Sequence, residues 1–411
     1  MFKPARILQA TSIFLFIAGC GTTQTAALAP TQPQAAASGL TINGGSTAQV
    51  PAGVAIPGAS IKAGASINSS SGFLQADGAL TPGIQAYALE VSQTRNIPLP
   101  HVVGILKDAQ YNATASRLMA PGKTRIRRSW VTYRNRFVEP VRINGGVEFW
   151  SEHKATLDKA ARDYGVPPSI IVAIIGVETI YGRNTGNFRV LDALATLGFR
   201  YPDSSRPERS QLFRDQLADL IQLDYEKKLD AREIQGSFAG AIGLPQFMPG
   251  SLMRYAADGN NDGRIDLLYS ADDAIVSVAS FLRQHGWEPG LPVFAPLVLP
   301  ANPKALVTGG LYPTYDWAAL QAQGATTRPP VGNQVNRETL LAGSSKDNAA
   351  WKSHKLGVVD LLDEPRNLAE YRTGTPNFFA ITHYNRSYFY ATSVADLAQA
   401  LSDRMGYGGP N

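Results

Sequence analysis

One carboxylate, Glu178, closes a run of residues that is otherwise almost wholly apolar, and its type and setting suit proton transfer. The run opens with Val166-Pro167-Pro168-Ser169 and continues through Ile170-Ile171-Val172-Ala173-Ile174-Ile175 to Gly176-Val177. Paired prolines fit a first helical turn, which has no intrahelical use for the N–H groups they lack. Apolar residues on every side predict a helix sunk in a core rather than one lying on a surface. Gly182 supplies the expected stop. Glu178 then falls in the last turn, where the negative end of the helix dipole disfavours a further negative charge. Burial acts in the same direction, so the carboxyl should titrate above its ordinary ~4.3. A glutamate held protonated near neutral pH can serve as a general acid. Taken alone, the segment fits equally well a helix-terminal glutamate turned to solvent.

A second group of side chains offers oxygen to a hard cation. Asp258, Asn260, Asp262, Arg264 (through its carbonyl) and Asp266 stand at positions one, three, five, seven and nine of a loop. Gly263 at six and Ile265 at eight complete the pattern of a calcium EF-hand loop. Position twelve departs from it, with Tyr269 where a bidentate acid is wanted, and Asp272 and Asp273 lie beyond the reach of a loop of that length. An Asx-rich turn without metal is the alternative reading.

The third reactive residue is Cys20, the single cysteine of the 411 residues, so no intrachain disulfide can form. Lys3 and Arg6 precede a short apolar stretch from Leu8 that ends Ile17-Ala18-Gly19-Cys20. That is the layout of a secretory signal, and its end resembles a bacterial lipobox, in which the cysteine becomes the acylated first residue. Gly21, in place of Asp, is the pattern of retention at the outer membrane by the same resemblance.

These residues need elements to hold them. Residues 1–19 read as the leader and 20–83 as a tether of Ala, Thr, Gly, Ser, Gln and Pro that cannot offset chain entropy by burial. Residues 84–411 read as the folded part: helical at 84–160, a core at 161–290 containing Glu178 and the loop 258–269, a small β-containing part at 291–375 and a return to the core at 376–411. Val147 to Tyr164 reads as one long helix, Ala271 to His285 as an amphipathic one, and Asp396 to Met405 as the last. Tyr388-Phe389-Tyr390 suits either cleft aromatics or strand-core aromatics, the latter favoured for Phe389. A hydrophobic content of 44% supplies a core. The formal charge of +5 falls by two to +3 without Lys3 and Arg6. No basic run with interleaved aromatics is long enough to indicate nucleic acid, and Arg125-Ile126-Arg127-Arg128 reads as a solvated loop.

Three ordered blocks resemble the lytic murein transglycosylase B family: Gly176 to Pro202, Gly236 to Pro249, and Ile381 to Tyr390. The resemblance implies a mainly α, lysozyme-like fold with a small β part. It implies an enzyme that cleaves peptidoglycan between N-acetylmuramic acid and N-acetylglucosamine, with Glu178 as sole acid and base, no cofactor for the chemistry and a 1,6-anhydro product. By the same match, Ser237 and Asn385 would orient the glutamate or the N-acetyl group. Gln246 would hydrogen-bond sugar, and Tyr133, Tyr384 and Tyr390 would line the cleft. Ser237 could equally be a turn residue. Implied partners are glycan strands, a membrane reached through a lipid on Cys20 and cell-wall synthesis enzymes; a structural calcium is implied in the loop. A hydrolytic muramidase and a non-catalytic peptidoglycan-binding lipoprotein are the rival readings, and Asp192 is the fallback second acid.

Overall fold

A computed structural model describes residues 73–122, 124–328, 338, 342 and 349–410. The leader, Cys20 and the tether as far as residue 72 lie outside the described residues. Packing starts inside the span read as tether, because Phe73 and Leu80 are buried. The Phe73 ring lies 6.0 Å from Phe199, with the Arg200 guanidinium 5.7 Å over it.

The first helices are α1 (Pro82–Arg95), α2 (Leu99–Asp108), α3 (Ala113–Met119) and α4 (Trp130–Arg134). The expected long helix is two, α5 (Pro140–Glu152) and α6 (Lys154–Tyr164). The chain leaves helical geometry at His153, whose ring rests 4.6 Å from Phe149. Nothing in the apolar periodicity marks that break. Next is α7 (Pro168–Thr179), every residue of which is buried, as the apolar run from Ile170 to Val177 requires. It packs against α5, α6, the later helix α11 and the last helix of the chain. Between them come α8 (Val190–Phe199), α9 (Pro207–Tyr225), α10 (Pro249–Tyr255) and α11 (Ala271–Gln284).

Short antiparallel ladders supply the β content. They are β1 (Phe188–Arg189) with β2 (Gln235–Gly236), and β3 (Leu297–Val298) with β4 (Thr326–Thr327). The longest is β5 (Gly357–Asp363) with β6 (Leu368–Gly374), in register from Gly357↔Gly374 to Asp363↔Leu368. Leu291, Leu320, Trp351, Leu356 and Val358 form an apolar cluster of their own beside these strands, with α12 (Trp317–Ala322) contributing Leu320. Arg125 and Arg128 are exposed, as a solvated loop requires, but both bond Glu364 at the β5–β6 turn.

The chain returns through α13 (Pro376–Thr382) to α14 (Tyr388–Met405). Tyr388, Phe389 and Tyr390 are therefore helical and not on a strand. Ser387 decides this: its Oγ accepts from the Tyr390 N–H at 3.4 Å and caps the helix start. Phe389 is a core aromatic as favoured, packed with Trp130 and Leu361. Among the described residues no single helix is long and apolar enough to cross a membrane.

Candidate active site

Glu178 is the penultimate residue of α7 and only 7% exposed. The helix does not run on to Gly182. It stops at Thr179 because Ile180, Tyr181 and Gly182 take successive left-handed conformations, with φ of 53°, 59° and 83°. A β-branched residue there costs roughly 1–2 kcal/mol, and local bonds offset it. Thr179 Oγ donates to the Leu244 carbonyl at 3.0 Å and accepts from the Gly182 N–H at 3.0 Å. Asn184 N–H donates to the Thr179 carbonyl at 2.9 Å. Tyr181 OH donates to the Arg142 carbonyl at 2.8 Å, while Arg142 Nε donates to the Gly176 carbonyl at 3.0 Å. The Tyr181 ring fits only because positions 146 and 176 are glycine; a Cβ at either would collide with its hydroxyl end. The turn behind Glu178 is thus held from both helices, a role that sequence reasoning did not assign to Arg142 or Tyr181.

Burial pushes the Glu178 carboxyl up to about 7, and a hydrogen bond from Tyr390 holds it partly down. Tyr390 OH donates to Glu178 Oε1 at 2.6 Å, and the tyrosine is itself buried. Burial and the nearby Glu178 charge push Tyr390 well above the ordinary phenol range, so it remains a donor. Tyr384 lies nearly parallel to Tyr390, with ring centroids 6.3 Å apart, and donates to the Pro245 carbonyl at 2.9 Å. Burial raises both Tyr384 and Tyr133, and the Glu178 charge raises each further, which puts both rings near the acid. Tyr133 is also seated by Phe137 and Phe389, at 5.0 and 5.4 Å. All three expected tyrosines are thus gathered around Glu178.

The remaining polar residues are placed less directly. Ser237 Oγ accepts from the Ala241 N–H at 3.0 Å, inside a turn closed by Ser237 N–H to the Ala241 carbonyl at 2.8 Å. Its described bonds are those of a turn residue, and none reaches Glu178. Gly243, with φ of 71°, lies where a Cβ would strike the Leu267 carbonyl. Gln246 follows in a left-handed conformation, its Nε2 donating to the carbonyls of Thr185 and Gly243 at 3.1 and 2.9 Å. Asn385 is half-buried between α13 and α14, beside Tyr384, and its carbonyl accepts from Ser387 N–H at 2.6 Å. The fallback acid Asp192 bonds Arg189 at 2.7 Å and accepts from the Gln110 N–H at 2.7 Å, so it is occupied in holding the fold.

In the oxygen-rich loop, Asp258 accepts from the N–H groups of Asp262 and Gly263 at 3.3 and 2.8 Å, and Asn260 accepts from Asp262 at 3.0 Å. Asp266 accepts from Leu268 and Tyr269, at 2.9 and 3.0 Å. Tyr269 is 88% exposed and supplies no ligand. Asp273 is buried and closes the loop, accepting from Gly259 and Asp266 N–H groups at 2.8 and 2.7 Å. Asp272 accepts from Thr156 Oγ at 2.6 Å. Asp272 is therefore committed elsewhere, whereas Asp273, against expectation, does reach the loop, because α11 brings it back, and each of its oxygens there accepts a loop N–H. Among the described residues no three His, Cys, Asp or Glu side chains cluster as a metal site. What the loop offers is the oxygen type that calcium prefers, drawn partly from Asn260 and a carbonyl, without the bidentate acid.

The profile of the transglycosylase SLT domain matches residues 82–399. Membrane-bound lytic murein transglycosylase B of Escherichia coli (strain K12) is 38% identical over 276 residues, spanning 67% of this chain and 68% of that protein. The crystal structure of soluble lytic transglycosylase SltB1 from Pseudomonas aeruginosa superposes with a TM-score of 0.67 at 35% identity, covering 79% of this chain and 100% of that one. The Escherichia coli lytic transglycosylase Slt35 in complex with calcium gives a TM-score of 0.63 at 34% identity, covering 79% and 93%.

Proposed function

The chain belongs to the SLT-domain family of lytic transglycosylases, enzymes acting on peptidoglycan, and on that footing we propose that Glu178 performs both proton transfers of the reaction. Tyr390 donates to Oε1, so the acid proton resides on Oε2 and passes to the glycosidic oxygen between N-acetylmuramic acid and N-acetylglucosamine. As the C1–O bond breaks, N-acetylglucosamine leaves as an alcohol. The Glu178 carboxylate then takes the proton of the C6 hydroxyl, whose oxygen closes on C1 to give the 1,6-anhydro ring. The acid is restored and no water enters. Attack from within the substrate gains the advantage of a nucleophile already in place.

The observation that carries this reading is the setting of Glu178: buried, bonded on one oxygen by Tyr390 with the other left for substrate, while the alternative acid Asp192 is tied to Arg189 and the Gln110 N–H instead of serving as a second carboxylate. A hydrolase of the usual kind would need that second carboxylate. Tyr133, Tyr384 and Tyr390 offer ring faces to the sugars. Ser237, Gln246 and Asn385 bind around them, with the turn of Ser237 placing its hydroxyl. Asp258, Asn260, Asp262, the Arg264 carbonyl and Asp266 would hold a structural calcium, weakly for want of a bidentate acid, and it would take no part in the chemistry. Cys20 carries acyl chains that anchor the enzyme to the periplasmic face of the outer membrane.

Digestion of purified sacculi tests the reaction. Anhydro ends resist borohydride and should dominate the products, whereas mostly reducible muramic ends would make the enzyme a muramidase. For the anchor, Cys20→Ala should abolish lipid labelling and release the protein to the soluble fraction. Membrane association that survives the substitution would place the anchor elsewhere.

A further inference from the structure

Tyr133 is carried by α4, a helix of five residues, too short to hold its shape without partners. It packs on α14 and β5, and charged side chains from α14 and β6 close a circuit of bonds around it. Trp130 and Arg134, its first and last residues, stand one turn apart on the same face. Trp130 Nε1 donates to Glu370 Oε2 at 3.0 Å. Arg372, two residues further along β6 and so on the same side as Glu370, donates from Nε to Glu370 Oε1 at 2.5 Å. Its guanidinium also donates to Asp396 of α14, from Nη1 to Oδ1 at 2.5 Å and from Nη2 to Oδ2 at 3.3 Å. Arg134 Nε completes the circuit, donating to Asp396 Oδ2 at 2.5 Å. The start of α4 is fixed separately by Asp363 at the end of β5, which is buried and whose Oδ2 accepts from Ser129 Oγ and the Val131 N–H, each at 3.1 Å.

We propose that Asp396 is a positioning residue for Tyr133: by holding Arg134, the neighbour of Tyr133, to α14, it sets the Tyr133 ring against the helix that carries Tyr390. The inference rests on the reading of Tyr133 as a ring that meets sugar. The Tyr133 ring lies 5.4 Å from that of Phe389, the residue before Tyr390, so the seating of α4 on α14 decides where the ring stands. Asp396 is buried and its two oxygens meet two arginines, so α14 grips α4 and β6 through one carboxylate. Signs alternate along Arg134, Asp396, Arg372 and Glu370, so every bonded pair attracts. The Arg134 and Glu370 side chains are half open to solvent, and such pairs add little to stability. What the circuit supplies is a fixed place for a short helix. The Tyr390–Glu178 bond involves no residue of α4, so a shift of α4 should weaken sugar binding and leave the acid as it is.

A double-mutant cycle on soluble glycan strands tests the inference. Tyr133→Ala should raise KM on the order of 10-fold, the weight of one good aromatic contact. Arg134→Met cuts the α4 arm and leaves the Asp396–Arg372 pair whole. It should raise KM about 3-fold, the scale of a half-exposed ion pair, with kcat and the alkaline limb of its profile near the wild type. In the Tyr133→Ala background Arg134→Met should add nothing to KM, because a ring that is absent cannot be misplaced. Asp396→Ala should raise KM at least as far as Arg134→Met, with the same loss of effect when Tyr133 is absent; if it does not fold, the Arg134 cycle decides. The inference is overturned if Arg134→Met keeps the wild-type KM, or if its KM rise persists in full in the Tyr133→Ala background. A Tyr133→Ala enzyme with wild-type KM would instead remove the reading beneath it.

Discussion

The two ends of α7 meet glutamates that titrate alike and sit in different settings. Glu178 and Glu338 are both pushed up to about 7, in each case chiefly by burial. Glu338 sits at the positive end of α7, fully enclosed, with the Ser169 N–H and hydroxyl each bonding one of its oxygens. Glu178 sits at the negative end, 7% exposed, with a single side-chain bond, from Tyr390 to one of its oxygens, among the described residues. A raised pKa therefore does not mark the catalytic residue here. Glu178 is distinguished by an oxygen left for substrate and by three tyrosines around it, and Glu338 by acceptors committed to the protein.

The comparison breaks most sharply at Glu178→Gln, which should remove about 10²–10⁴-fold of the activity that general acid–base work contributes. The same variant sharpens the comparison through stability. Glu178 titrates higher folded than unfolded, so the wild type loses stability as pH rises from its unfolded value of ~4.3 through about 7. Denaturant melts should show the variant gaining on the wild type by up to about 3 kcal/mol between pH 4 and pH 8. A constant difference across that range would mean that the carboxyl is not raised. Next in size is Tyr390→Phe, expected to cost about 10-fold in kcat as a lost charge-assisted hydrogen bond. Its alkaline limb should move up, since the lost bond favoured the carboxylate; a downward move would contradict the assigned donor.

The smallest effect belongs to the loop, where carboxylates stand in water instead of a core. Calcium should raise the melting temperature by a few degrees, about what 1 kcal/mol of ligand binding gives, and Asp258→Ala with Asp262→Ala should erase the rise. Tyr269→Glu supplies the missing bidentate ligand and should enlarge it. A melting temperature indifferent to millimolar calcium in both the parent and Tyr269→Glu would leave the loop an Asx turn.

Much of the acid's setting was legible in the chain, because α7 is defined locally: two prolines to start it and an apolar run that must be buried. Its end was not, since Ile180 and Tyr181 adopt left-handed geometry only under tertiary bonds from Leu244, Asn184 and Arg142. Tyr388-Phe389-Tyr390 misled for a related reason. Three aromatics suit a strand by type, and one serine cap with the packing of Trp130 and Leu361 made them a helix. Ser237 and Gln246 carried signals that fit turn and cleft alike, and their described bonds are those of a turn. Glu338 carried no signal at all: it lies 169 residues from the serine it bonds, in a stretch without helical or strand periodicity.

Digestion of glycan strands in water enriched with ¹⁸O tests the single-acid account most directly. Ring closure by the C6 hydroxyl takes no oxygen from solvent, so the muramic ends should carry no label and be lighter by one water than hydrolysed ends. One ¹⁸O at C1 for each bond cleaved would show water as the nucleophile and contradict the account.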